Sequence, residues 1–377
     1  MRPEPYTPGA TALGVSRKGA IDMNSRERVL AAVRHQEPDR VPWDLGTTNV
    51  TGITRNAYLR LVEHLGVEVG PFQFYDVIQQ LARVDEAVLR RLEVDTRGLI
   101  PNVVRKAPQV EDHGTHRTFT DEWGVRWRMP QDGLYFDLDE SPLAGDITPE
   151  DVDAHPWPDT SSPALLEGLR EQAQRWHEEG YAVLLESVCA GIFEMACRVR
   201  GYEQFYMDLA LNPALATRIL DKFVEQKLAF YEAAAATLGG YIQFIREGDD
   251  LAGTETMLMS PTNYRKYIKP RHAELFAAQR RLFPEPFHIF FHSDGAIYGV
   301  IPDFIELGID VLNPVQVSAK GMTVARLKSE FGRDLTFWGG AIDPLALARS
   351  GPQEVQREVR QRIEDLAPGG GFVFGAI

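Results

Sequence analysis

Between Phe287 and Gln316 the sequence spells out one complete structural unit. An apolar run, Phe287–Phe291, stops at His292-Ser293-Asp294-Gly295. Ile297, Val300, Ile301, Phe304, Ile305 and Leu307 then recur near helical spacing, and Gly308 ends that segment. A second apolar run, Ile309–Leu312, stops at Asn313-Pro314. Strand, turn, helix, turn, strand is the pattern of two parallel strands joined by a crossover. In parallel α/β proteins the chemistry collects just past the carboxyl ends of the strands, where this unit keeps its polar residues.

The same alternation runs through most of the chain. Asn24 and Glu27 form a capping box that opens a helix carrying Val29, Leu30 and Val33. Strands are expected at Arg40–Leu45, Val94–Ile100, Tyr181–Ser187, Tyr241–Arg246, Leu335–Trp338 and Gly371–Phe374, besides the two above. Helices are expected at Tyr58–Leu65, Val77–Leu92, Leu165–Glu178, Phe193–Arg200, Pro213–Leu238, Pro261–Leu282, Thr323–Phe331 and Gln353–Leu366. Eight such strands are the count of a TIM (β/α)8 barrel, here with an N-terminal helical extension. Residues at about 105–160 interrupt the rhythm. His116–Met129 alternates around Asp121-Glu122 and Gly124 and reads as a β-hairpin, and Gly133–Trp157 is rich in Pro and Asp. This stretch is expected as an insertion on the barrel, not a separate domain. Residues 1–22 are expected as a disordered leader and 23–377 as the barrel, with Met23 as the native start. Ile377 falls in or just after the eighth strand, so the barrel's last helix is expected beyond it.

With 44% hydrophobic residues in 377, one large core can be filled. The formal net charge is -14 with no basic block, which argues against a nucleic-acid partner. No apolar run approaches the ~20 residues that span a bilayer. The two cysteines, Cys189 and Cys197, form no CxxC pair and point to a reduced, cytoplasmic chain.

If the strands are right, one rim gathers Asp44, Glu186, Glu247, Asp249, Asp250, His292, Asp294, Asn313, Gln316 and Asp343. His292 and Asp294, two apart at a strand end, suit a shared metal or an oriented acid/base pair. The alternative is an Asp helix cap over a packed His. Glu247, Asp249 and Asp250 crowd three carboxylates into four residues. Such a cluster calls for a metal, a nearby Arg or raised pKa values, unless it is a solvated loop. His288 reads as a satisfied core histidine. Trp123, Trp127, Tyr135 and Phe136 either cover a ligand or form the hairpin's own core.

Five pieces of the chain resemble the uroporphyrinogen decarboxylase superfamily: Asn24–Leu45, Ser260–Arg271, His292–Gly295, Ile309–Lys320 and Leu335–Gly340. The resemblance implies a TIM barrel and one of two activities. One branch decarboxylates the acetate arms of uroporphyrinogen without a cofactor. The other moves methyl groups between corrinoid proteins and thiols, using zinc to make the thiolate. The decarboxylase's Arg-rich N-terminal motif is replaced here by DLGTTNVTGITR after Trp43. The methyltransferase branch has His-x-Cys at the His292 turn, where this chain has Asp294 in place of the Cys. Its further Cys, near the last strand, has no counterpart within Gly369–Ile377. An acidic rim would also repel a polycarboxylate such as uroporphyrinogen.

The preferred expectation is a methyltransferase-like enzyme acting on a small substrate or thiol and a corrinoid carried by a partner protein. His292, Asp294, Glu247 and Asp250 are expected to be catalytic, and His292, Asp294 and Asp249 to bind zinc or another divalent metal. Asp44, Glu186, Asn313, Gln316, Trp338 and Asp343 are expected to bind substrate. Decarboxylation without a cofactor is the alternative, and a non-catalytic barrel holding a corrinoid partner is a third reading. A homodimer is left open.

Overall fold

A computed structural model describes residues 22–102, 108–340, 342 and 344–375. Nearly all of the expected leader and all of Asp343 lie outside the described residues. Seven parallel strands form one curled sheet, numbered here along the chain. They are β1 (Thr96–Leu99), β2 (Ala182–Glu186), β3 (Phe244–Gly248), β4 (His288–His292), β5 (Val311–Asn313), β6 (Thr336–Trp338) and β7 (Phe372–Val373). Each pairs with its sequence neighbour, the order of an α/β barrel.

The eighth stave is only a bridge. The expected strand Arg40–Leu45 reduces to Trp43, which pairs in parallel with Phe374. The Asp44 N–H donates to Phe374 O at 2.9 Å, and the Asp95 N–H donates to Trp43 O at 3.1 Å, so this short stretch links the last strand to the first. Pro42 has no N–H to extend the ladder. The helix Ser25–Val33, with the expected Asn24–Glu27 capping box, closes the amino end of the barrel. Its Val29, Leu30, Ala32 and Val33 join Ala182, Leu184, Phe244, Phe290, Val311, Trp338 and Val373 in one inner core.

Two expectations fail here. Val77–Leu92 is not one helix: Phe74–Asp76 pairs antiparallel with Leu81–Ala82 around a turn, and the helix is only Glu86–Arg91. Asp85 starts it by accepting the Ala87 N–H at 2.8 Å. Tyr202–Leu211 is an unforeseen helix after Gly201, whose φ of 89° breaks the preceding one.

The expected hairpin lies within a four-stranded antiparallel sheet, Glu111–Asp112, His116–Thr120, Arg126–Pro130 and Asp137–Glu140. Its Phe119, Trp123, Val125, Trp127 and Phe136 pack into the same hydrophobic cluster as the barrel and its helices. The core these aromatic residues fill is shared with the barrel and not the hairpin's own, and Trp123, Trp127, Tyr135 and Phe136 also line a cavity. Among the described residues no helix is long and apolar enough to cross a membrane.

Candidate active site

Strand register sets the site. His292 lies level with Gly248 on one side and Asn313 on the other. One layer lower, Glu186 lies level with Arg246. Gly248 leaves room for the histidine, because a Cβ there would sit 2.9 Å from His292 Cβ.

Asn313 fixes the imidazole. Its Nδ2 donates to the Trp338 carbonyl at 2.7 Å, which turns its Oδ1 toward His292. That oxygen lies 2.6 Å from His292 Nδ1 and must accept from it, so Nδ1 carries a proton. Nε2 is left facing Asp250 Oδ1 at 3.5 Å and Asp294 Oδ2 at 3.8 Å. The following turn is tied down from three sides. The Asp294 N–H donates to Asp250 Oδ1 at 3.1 Å, the Gly295 N–H to Gln316 Oε1 at 2.6 Å, and the Ala296 N–H to Gly253 O at 2.8 Å. Gly295 has φ 88°, and a Cβ there would meet Ala252 O at 2.4 Å.

His292, Asp250 and Asp294 bring one ligand atom each to within 4.8 Å of one another. Bonds of ~2.1 Å in a tetrahedral site put neighbouring ligand atoms ~3.4 Å apart, so these separations suit a divalent cation after small side-chain shifts. Asp294 turns Oδ2 toward His292 Nε2, and its Oδ1 is buried without a hydrogen-bond partner, so the carboxylate has capacity left for a cation. One nitrogen and two carboxylates, with no thiolate, suit zinc in a catalytic site and harder ions alike. Neither cysteine joins the group: burial pushes the Cys189 thiol up to about 11, and Cys197 is buried in a helix.

The group opens into a cavity of about 970 Å³. It is lined by Glu186, Arg246, Asp250, His292 and Asp294 at the strand ends, by Arg198, and by Asn49, Tyr75, Asp76, Phe119, Glu122, Trp123, Trp127 and Phe136 from the amino-terminal segment and the insertion. Glu186 accepts from Tyr75 OH at 2.7 Å, the Asn49 N–H at 3.0 Å and the Ser187 N–H at 3.1 Å. Burial raises the Asp76 and Asp121 carboxyls, and pushes Glu122 up to about 7 with help from those two neighbours.

Of the residues expected from sequence, Glu186, Asp250, His292 and Asp294 meet at this cavity. The others are placed differently. Glu247 faces the helical layer: Lys227 Nζ donates to it at 2.8 Å and Gln279 Nε2 at 3.2 Å, and Tyr231 OH makes a short bond to it. Asp249 caps the helix Ile192–Arg200, accepting the Phe193 and Glu194 N–H groups at 3.0 and 2.9 Å, with His272 Nε2 at 3.2 Å. It is therefore not in the metal group. Asp44 and Trp338 bond to each other at 3.0 Å below the cavity. Trp338 packs between Phe244 and Phe290, and burial raises the Asp44 carboxyl. Asn313 and Gln316 spend their side-chain oxygens on His292 Nδ1 and the Gly295 N–H, so those two oxygens are already engaged within the chain. His288 is not the satisfied core histidine expected, since both its ring nitrogens are buried without hydrogen bonds.

The sequence reading missed Tyr75, Asp76, Asn49 and the inward course of Arg246. The alternation in Phe72-Gln73-Phe74-Tyr75-Asp76 was the available signal for the first two.

The sequence model of the Uroporphyrinogen decarboxylase (URO-D) family matches residues 133–376, more than half of the chain. The chain belongs to that family. Among solved structures, a methyltransferase from Methanosarcina mazei matches with a TM-score of 0.60 at 15% identity, covering 94% of this chain and 93% of its own. That likeness shows the fold. No curated protein matches the chain.

Proposed function

We propose that this URO-D family chain is a methyltransferase-like enzyme that holds a divalent cation through His292, Asp250 and Asp294. It moves a methyl group between a small substrate or thiol and a corrinoid carried by a partner protein. The carrying observation is the convergence of those three ligands on the cavity, with Nε2 of His292 turned toward the carboxylates. When bound, a divalent ion supplies Lewis acidity, which lowers the pKa of a thiol or water beside it. The chain's own residues do the rest. Asn313 holds the imidazole, the Asp294 N–H orients Asp250, and Gln316 holds the turn that carries Asp294. The insertion's Phe119, Trp123, Trp127 and Phe136 line the cavity and give a substrate apolar surface to pack against. The acidic walls oppose a polycarboxylate, which weighs against porphyrinogen decarboxylation. Free Cys189 and Cys197 suit a cytoplasmic setting.

The test incubates the metal-loaded chain with a methylated corrinoid and a thiol and follows the corrinoid's visible absorption. Demethylation by wild type and its loss in His292→Ala support the reading. Inertness in that assay, together with coproporphyrinogen formed from uroporphyrinogen, would replace it with decarboxylation.

A further inference from the structure

Arg246 is, with Arg198, one of two arginines that line the cavity, and the proposed reaction does not yet use it. It is 4% exposed and lines the cavity. A guanidinium offers five N–H donors in a planar fork. Among the described residues the other fully buried arginines hydrogen-bond through Nε, although the partly buried Arg117, Arg271 and Arg362 leave that atom unpaired as Arg246 does. Arg97 donates to both oxygens of Glu86, at 2.9 and 3.0 Å, and to the Val94 and Thr96 carbonyls. Arg200 donates to Asp208 at 2.7 Å and to two carbonyls at 2.6 Å. Arg246 has instead one ion pair, to Glu186 at 3.4 Å, and its buried Nε has no hydrogen-bond partner. Glu186 is already satisfied by Tyr75, Asn49 and Ser187, so it has little need of Arg246. Leaving a buried donor unpaired is costly, and a charged one more so. Burial opposes the charge on Arg246, but Glu186, Glu194 and Glu247 keep it protonated.

We propose that Arg246 anchors a carboxylate of the substrate, and that the cavity takes a monocarboxylate. Paired N–H groups of a guanidinium match the two oxygens of a carboxylate. The anchor stands next to the proposed metal ligands, because a side chain at Gly248 would meet Arg246 Nη2 at 3.5 Å and His292 Cβ at 2.9 Å. A substrate held at Arg246 therefore keeps its body within reach of His292. That body lies against Phe119, Trp123 and Trp127. The lining also carries Asp76, Asp121 and Glu122 against the one further arginine Arg198, and this excess of acid opposes a second negative charge. The proposal rests on the cavity being the substrate site of the reading above, but not on methyl transfer.

The test uses the full chain freed of metal by chelator, with benzoate, benzamide and terephthalate as probes. Binding is read by titration calorimetry and by the fluorescence of the cavity tryptophans. Benzoate should bind at least tenfold more tightly than benzamide or terephthalate. Arg246→Gln should abolish the preference over benzamide, and Arg246→Lys should keep part of it. Wild type binding benzoate no better than benzamide overturns the anchor, whatever the variants do. A full preference retained in Arg246→Gln overturns it too, and terephthalate binding as tightly as benzoate overturns the single-charge limit. Nothing turns over in this experiment, so failure of corrinoid chemistry would leave its result standing, and the reverse also holds.

Discussion

His292 meets the Asn313 amide at Nδ1 and two carboxylates at Nε2, so one amide sets which face of the ring can bind a cation. Asn313→Leu removes the acceptor and frees the ring to turn. Metal affinity should fall by about 10–100-fold, the usual cost of losing such an orienting partner. Competition titration against a metal-binding dye would measure it. Glu122 makes a separate prediction about pH. Desolvation within the cavity, with Asp121 and Asp76 beside it, raises its carboxyl from 4.5 when free to about 7 in the folded chain, although the residue itself is partly open to solvent. A raised carboxyl gives stability that is present at acid pH and lost as pH rises through about 7. Glu122→Gln should therefore match wild type in melting temperature near pH 4 and exceed it at pH 8. Equal differences at both values would show that Glu122 titrates normally.

At the scale of elements, part of the candidate site was legible, and its two misplaced acids have separate causes. The His292 turn and the strand ends at Glu186 and Asn313 could be read because an apolar run there stops at a polar residue. Glu247 was misplaced because β3 runs on to Gly248, past the expected end at Arg246. Side chains alternate along a strand, so Arg246 faces the cavity and Glu247 the helices. The capping role of Asp249 could not be read, since its partners come from residues more than fifty positions away. The fold was more legible than the site, because helix and strand periods are local and hydrogen-bond partners are not. The turn after β4 carries its own prediction. Gly295→Ala puts a Cβ 2.4 Å from the Ala252 carbonyl at a φ of 88°. Strain of ~1–3 kcal/mol should lower the melting temperature, and the displaced Asp294 should weaken metal binding. Unchanged values for both would mean that the loop after β3 yields easily.

Closure of the whole barrel depends on one buried carboxylate. Asp95, just before β1, accepts from Arg28 Nη1 and Arg40 Nη1, each at 2.7 Å, and from the Trp43 N–H at 3.0 Å. It thereby joins the plugging helix, the bridging stave and the first strand. Asp95→Ala leaves Arg28 buried beside Asp39 alone and should cost about 3–5 kcal/mol in urea unfolding. Such a loss would make this amino-terminal tie as important to the barrel as any strand pair. The floor that it closes supports the polar layer of Glu186, Arg246, His292 and Asn313, and the central claim concerns what that layer holds. The direct measurement is divalent metal content by mass spectrometry on protein purified without chelator. The account predicts about one ion per chain in wild type and in Asp249→Asn, and none in His292→Ala or Asp250→Ala. Equal metal in wild type and His292→Ala, or none in wild type reconstituted with zinc, would contradict it.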